Sequence, residues 1–263
     1  MLKAERHKKI LDTLDEKGAV TISGLCAALR VSRATVRRDL VELDNDDLLE
    51  RSHGGAVSIA KPSMADIPLA LRQHIRKEEK IRIAEAAVAY IREGNTIYLG
   101  AGTTTREVAA KLNKFRQLTV LTNDIAVAMA VSATENQLIV AGGVLKKSSM
   151  TLLGNYTEHM LNELHVDIAI LSVDAVDPEH GFMDYNTDEV KVKRLMIQNA
   201  EKCVMLCDHS KFRKAALVKV CPPSDVDLLI TGAALDPDYR QKLANCDVQV
   251  CDVQVCDVQV IED

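Results

Sequence analysis

The chain has 263 residues, a formal net charge of −5, 3% aromatic residues and no tryptophan. That length exceeds one small domain and allows a further domain with a sizeable core. The acidic balance argues against a generic polyanion binder, and the scarcity of aromatics argues against recognition by stacking on unpaired bases. No secretory leader is visible, no apolar run is long enough to span a bilayer, and seven cysteines are an odd number. A cytoplasmic protein with reduced thiols and no membrane contact is therefore expected.

In chain order, Ile10, Leu11 and Leu14 form a first apolar stripe, ended by Gly18. Thr21 can cap a second helix, whose Ile22, Leu25, Cys26 and Leu29 fall at i, i+3, i+4 and i+7. After the short turn Arg30-Val31-Ser32 comes a third predicted helix, residues 32–43. Ser32 is its N-cap, and Val36, Leu40 and Leu43 share its buried face. The opposite face carries Ala34, Arg37, Arg38 and Val41, with Arg33 at the flank. This is a helix-turn-helix arrangement. Arg forks grip phosphate or the O6/N7 edge of guanine, and a small apolar residue touches a thymine methyl. Alone, an Arg-rich helix reads more readily as a solvated face; the neighbouring elements weigh against that. Residues 48–59 read as two short strands about His53-Gly54-Gly55, a wing from which Arg51 and His53 reach the backbone or minor groove. Residues 1–57 hold ten Lys+Arg and ten Asp+Glu, so the basic groups must be segregated onto one face. The predicted DNA-binding set is Ser32, Arg33, Ala34, Thr35, Arg37, Arg38, Arg51 and His53.

These residues carry a family resemblance. Arg6, Ile10-Leu11, Val31-Ser32, Thr35-Val36-Arg37-Arg38-Asp39-Leu40, Leu43, Arg51 and His53-Gly54-Gly55-Ala56 resemble the DNA-binding domain of DeoR-family bacterial transcriptional regulators. The resemblance implies an α+β winged helix-turn-helix over residues 1–57. Where that family usually has Gly before the wing, this chain has Asn45-Asp46-Asp47, residue types that tolerate the left-handed conformation.

Residues 58–68, with two prolines and no periodicity, read as a linker. A long helix is predicted over residues 69–92, ended by Gly94, with Arg72, Arg76, Lys77 and Lys80 as a solvated face. Short apolar strands then alternate with helices. Strands are predicted at 96–99, 118–122, 137–141, 167–172, 202–207 and 226–230, and helices at 105–112, 125–133, 156–164 and 188–199. That pattern gives a parallel α/β sheet covered on both faces. Ligands bind such sheets at the carboxyl ends of strands. The turn Gly100-Ala101-Gly102-Thr103-Thr104-Thr105 follows a strand and opens a helix, a phosphate-cradle pattern. It matches neither Gly-x-Gly-x-x-Gly nor a P-loop, so dinucleotide and nucleotide readings are weak; a plain capping turn is the bland alternative. Thr122-Asn123, Gly142-Gly143, Ser172-Val173-Asp174 and Asp208-His209-Ser210-Lys211 also fall at strand ends. The predicted effector-binding set is Gly100, Gly102, Thr103, Thr104, Thr105, Thr122, Asn123, Gly142, Gly143, Asp174 and Lys211, a pocket for a small phosphorylated polyol. Cys203, Cys207 and His209 raise a metal site, but in a strand the two thiols stand roughly 13 Å apart. No metal, cofactor or catalytic residue is assigned.

Gly102-Thr103-Thr104, Thr122-Asn123, Gly142-Gly143, Asp174, residues 177–181, Lys191 with Met196-Ile197, and Asp208-x-Ser210-Lys211-Phe212 resemble the DeoR-family effector domain. That domain, here residues 69–263, is similar in fold to ribose-5-phosphate isomerase and CoA-transferase-type domains. The resemblance implies a repressor of a sugar-catabolic operon that binds double-stranded operator DNA as a homo-oligomer and responds to a phosphorylated sugar. The rival reading is a sugar-phosphate isomerase fused to a DNA-binding module, with Asp174, Asp177 and Lys211 as its candidate groups. At the tail, Cys-Asp-Val-Gln-Val occurs three times, at 246–250, 251–255 and 256–260. The period of five flips the apolar face between copies, so one copy is expected in the sheet, leaving Cys251 and Cys256 exposed and oxidisable.

Overall fold

The computed structural model describes residues 1–17, 19–46, 48–52, 54–57, 73, 76–232 and 235–253. His53, the predicted 58–68 linker, residues 69–72, 74 and 75 of the predicted 69–92 helix, and Cys256 with the third tail copy lie outside them. Packing divides the chain into two units, Met1–Ile75 and Arg76–Asp263.

In the first unit, α1 (Lys3–Lys17), α2 (Ile22–Leu29) and α3 (Arg33–Asn45) close around Ile10, Leu14, Leu25, Leu29, Val36, Leu40 and Leu43. Val36, Leu40 and Leu43 are at most 1% exposed; burying each contributes about 1.5–3 kcal/mol. Both predicted caps form. The Gly24 amide donates to Thr21 Oγ1 at 3.1 Å, and the Thr35 amide to Ser32 Oγ at 3.2 Å. The turn between α2 and α3 is made by Arg30 in the left-handed conformation, φ 53°. The wing strands β2 (Glu50–Ser52) and β3 (Gly55–Val57) pair antiparallel, and a third strand missed in the sequence, β1 (Ala19–Thr21), pairs with β3. Three residues are too few for an alternation to register. Asp46, in the turn where left-handed geometry was expected, sits at φ −90°, and Asp47 lies outside the described residues.

Gly55 packs its bare Cα directly on β1: a Cβ there would overlap the Val20 carbonyl. Backbone on both sides leaves nothing to give way. Gly55→Ala is expected to destabilise this unit by about 3 kcal/mol, the upper end for overpacking, measurable as a fall in its urea midpoint.

The second unit is a seven-stranded parallel sheet in the order β15-β14-β12-β9-β4-β5-β6. Its strands are β4 (Thr96–Leu99), β5 (Thr119–Thr122), β6 (Gln137–Val140), β9 (Val166–Ser172), β12 (Ala200–Cys207), β14 (Leu228–Thr231) and β15 (Gln249–Asp252). Alternate residues enter two cores. Ile97, Leu99, Val120, Ile168 and Val204 face the helices Lys77–Val88, Thr103–Ala109 and Ile125–Val131. Tyr98, Leu121, Ala169 and Met205 face the helices Asn155–Asn162, Thr187–Gln198 and Pro237–Ala244. Two small antiparallel pieces were not foreseen: the hairpin β7 (Val144–Lys146) with β8 (Thr151–Leu153), and the sheet of β10 (Ala175–Asp177), β11 (Gly181–Asp184) and β13 (Val218–Cys221).

Three expectations need correction. Within the predicted 69–92 span the described helix runs Lys77–Val88 and stops short of Arg92, because the Ala89, Tyr90 and Ile91 amides bond three residues back and tighten the chain out of the α-helix. Lys80, expected on a solvated face, is 2% exposed. The tail strand Gln249–Asp252 straddles the junction of the first two copies. Cys246, Val248 and Val250 pack toward one core and Cys251 and Val253 toward the other, so the odd period is accommodated by a sheet covered on both faces. Cys251 is thereby buried. No helix among the described residues is long and apolar enough to cross a membrane.

Candidate DNA-recognition face and sensor site

On α3 the buried and exposed rows separate cleanly. Arg33, Ala34, Arg37 and Arg38 are exposed, and Val36, Asp39, Leu40 and Leu43 are buried. Ser32 and Thr35 serve the helix start, their hydroxyls 2.9 Å apart in the cap. Arg51, exposed in β2, is tied to α3 through its amide, which donates to Asp44 Oδ1 at 3.2 Å. The tip of the wing is anchored where the Ile22 amide donates to the Gly54 carbonyl at 2.9 Å. Helix, wing and arginines therefore form one supported surface.

What aims that surface is a buried charge. Arg6 on α1 grips Asp39 on α3 with both ends of its fork, Nε to Oδ2 at 2.7 Å and Nη2 to Oδ1 at 2.9 Å. His7 Nε2 lies 3.3 Å from Asp39 and 3.4 Å from Glu42, and Lys3 reaches Glu42 at 2.7 Å. His7, Asp39 and Glu42 bring ligand-type atoms within 4.8 Å of one another. With both carboxylates already held by Arg6 and Lys3, the group is a cross-brace between helices rather than an ion cage.

In the second unit the predicted residues divide in two. Gly100, Gly102, Thr103, Asp174 and Lys211 all follow closely on the ends of the adjacent strands β4, β9 and β12. Gly102 has φ 155°, and a Cβ on it would strike the Ser172 hydroxyl, so the ends of β4 and β9 touch. Lys211 Nζ lies 3.6 Å from Asp174 Oδ1. Lys211 sits on a 3₁₀ turn, His209–Lys211, capped by Asp208, whose carboxylate accepts from the Ser210 amide and hydroxyl. Burial would raise the Asp208 carboxyl, but Lys211, Lys80, the Ser210 bond and Arg76 outweigh it and hold it down at about 2. Glu79 at the start of the helix Lys77–Val88 accepts from the His209 amide at 2.8 Å and lies 2.8 Å from His209 Nδ1, which raises the imidazole above its usual range.

The other predicted residues make contacts within the fold. Thr105 Oγ1 donates to the Gly102 carbonyl and Thr122 Oγ1 to the Leu99 carbonyl, both side chains fully buried; Thr104 is buried as well. Asn123 accepts from the Tyr98 hydroxyl at 2.8 Å and donates to the Leu152 carbonyl at 2.9 Å, so both ends of its amide are used. Gly142 and Gly143 are exposed, and the Gly142 carbonyl accepts from Thr157 Oγ1. Cys203 and Cys207 are buried thiols pushed well above the usual range by burial, and His209 is engaged with Glu79.

Both halves match described families. Residues 6–61 match the DeoR-like helix-turn-helix domain and residues 75–233 the DeoR C terminal sensor domain. The chain belongs to the DeoR family. It is 33% identical to the HTH-type transcriptional regulator GlpR of Haloferax volcanii over 95% of this chain and 98% of that protein. It is 32% identical to the glycerol-3-phosphate regulon repressor of Escherichia coli K12 over 95% and 99%, and 31% identical to a putative aga operon transcriptional repressor of Escherichia coli O157:H7 over 94% and 93%. A ribose 5-phosphate isomerase A of Methanocaldococcus jannaschii aligns over 52% of this chain and 54% of that one, with a TM-score of 0.39 and 21% identity. The DeoR-family assignment drawn from the motifs thus holds in both halves. This protein is a DNA-binding transcriptional regulator with a sensor domain, and the isomerase alternative gains nothing from its relatives.

Sequence reasoning missed three groups in this DeoR-family chain. Asp124 caps the helix Ile125–Val131 and takes the Arg106 fork at 2.8 and 3.0 Å. Glu79 clasps the β12 turn. Lys193, rather than the singled-out Lys191, is the inward lysine of the helix Thr187–Gln198; Lys191 is exposed beside Asp188. Helical spacing carried the signal for Lys193, which stands three residues before Met196 and three after Val190 on the buried face.

Proposed function

We propose that this DeoR-family regulator is a repressor of an operon for catabolism of a sugar or polyol. In this reading α3 reads operator DNA, and a phosphorylated polyol at the ends of β4, β9 and β12 shifts the DNA-competent population. The observation that carries the DNA half is the row Arg33, Ala34, Arg37 and Arg38, exposed on a helix whose opposite row is locked into the core. The effector half is supported by Lys211 as a phosphate partner beside Asp174, a carboxylate suited to hydroxyl groups, and by relatives named for a glycerol-3-phosphate regulon. Residues 1–57, joined through 58–68, form the reading head, and the remainder forms the sensor and assembly domain. Two half-sites require at least two copies, working in the cytoplasm. The route from the sensor site toward the linker begins at the Asp208–Lys211 turn and the helix Lys77–Val88, joined by Glu79 and His209.

The test is fluorescence anisotropy on the gene's own upstream DNA against scrambled DNA at fixed physiological salt. Preference of about a thousandfold or more supports the reading; equal weak binding to both defeats it. Arg37→Ala is expected to weaken specific binding about 10- to 100-fold while leaving the melting temperature unchanged. Glycerol 3-phosphate and ribose 5-phosphate are then titrated into the complex, and release by neither removes the polyol-phosphate part for these two ligands.

A further inference from the structure

One buried ion pair lies behind the Lys211–Asp174 contact. Lys193 lies on the inward side of the helix Thr187–Gln198, and Asp184 ends β11; their side chains are 6% and 3% exposed. Lys193 Nζ donates to the Asp184 carboxylate and, at 2.7 Å, to the Ser172 carbonyl. The other Asp184 oxygen accepts the Asp174 amide at 2.8 Å, and that amide also reaches the Met183 carbonyl at 3.1 Å. The pair therefore clamps the backbone on both sides of Val173. The same corner presents the Ser172 hydroxyl to Gly102 and the Asp174 carboxylate to Lys211.

Stability does not account for such a pair. Desolvation of two buried charges offsets most of their attraction, and an apolar pair of similar volume holds a core at least as well. What an apolar pair cannot do is donate to one backbone carbonyl and accept from an amide two residues on. We propose that Lys193 and Asp184 are positioning residues of the sensor site, fixing the Ser172–Asp174 corner so that its hydroxyl and carboxylate meet the hydroxyls of a polyol whose phosphate rests on Lys211. Neither touches the ligand. This inference rests on the polyol-phosphate reading above.

The test uses the full chain, Lys193→Met and the double variant Lys193→Met with Asp184→Leu. The double variant removes both charges and so is expected to fold where the single one leaves Asp184 buried without its cation. Calorimetry measures glycerol 3-phosphate, ribose 5-phosphate and inorganic phosphate; hydrogen exchange measures the Asp174 amide. The variants are expected to exchange that amide about tenfold faster or more. Their affinity for the polyol phosphates is expected to fall about tenfold or more, and that for inorganic phosphate by less than about threefold, because only the polyol needs the corner. General loosening would weaken all three ligands alike and would overturn the proposal. So would Asp174 protection at the wild-type level in the folded double variant. Failure of the wild type to bind either polyol phosphate would defeat the effector reading instead, while the exchange result still decides whether the clamp exists.

Discussion

Asp39→Ala is expected to cost the DNA-binding unit about 3–5 kcal/mol, and operator binding with it, although Asp39 belongs to the buried row of α3. The carboxylate is 2% exposed and carries both bonds of the Arg6 fork, with His7 3.3 Å away. Removing it strands a guanidinium and an imidazole at the junction of α1 and α3. The Arg37–Arg38 row depends on that junction, since α3 is oriented by what its opposite side packs on. Urea unfolding followed by circular dichroism checks the stability, and anisotropy checks the DNA. Arg6→Ala and the double variant complete a thermodynamic cycle, in which a coupling of about 1.5 kcal/mol or more is expected for a desolvated pair. A loss below about 1 kcal/mol for Asp39→Ala would mean that Asp39 does not brace α1 against α3.

Asp208→Asn should be the second large effect, about 3 kcal/mol of stability at neutral pH. The amide keeps an acceptor for the Ser210 amide but withdraws the negative charge that faces Lys211 and Lys80. Both lysines are at most 9% exposed. The pH dependence follows from the direction of the shift. The folded carboxyl sits near 2 and its ordinary value is 3.8. Its contribution is therefore complete above about 4 and is lost as the pH falls through about 2. Wild type and variant are expected to differ most at pH 7 and to converge toward pH 2, as read from urea midpoints across that range. A difference that persists undiminished at pH 2 would mean that Asp208 acts through shape and not charge.

The sequence was most legible where a pattern is short-range and repeated. Ser32, Val36, Leu40 and Leu43 specify a capped amphipathic helix, and the structure buries those apolar positions. Strand and helix alternation beyond Gly94 gave the doubly covered parallel sheet. Legibility failed at polar residues, whose partners lie far off in the chain. Lys80 resembled solvated surface because its neighbours are charged; its electrostatic partner Asp208 is 128 positions away and its burial depends on fold closure. Asn123 and Thr122 likewise bond to Tyr98, Leu152 and Leu99, partners that nothing in a strand-end turn announces.

Caps, helical spacing and strand alternation act within a few residues and need no distant partner, so the three N-terminal helices, the main parallel strands, the family and the exposed arginine row were legible from the chain alone. Only the tertiary structure decided which polar groups are free to act. Nothing in the string of letters names the partner of Asp39, Asp208, Lys193 or Asp184, and folding buries each against one chosen by the topology. The tail makes the same point: a five-residue repeat reverses its face at every copy, and only a sheet covered on both sides accepts the reversal.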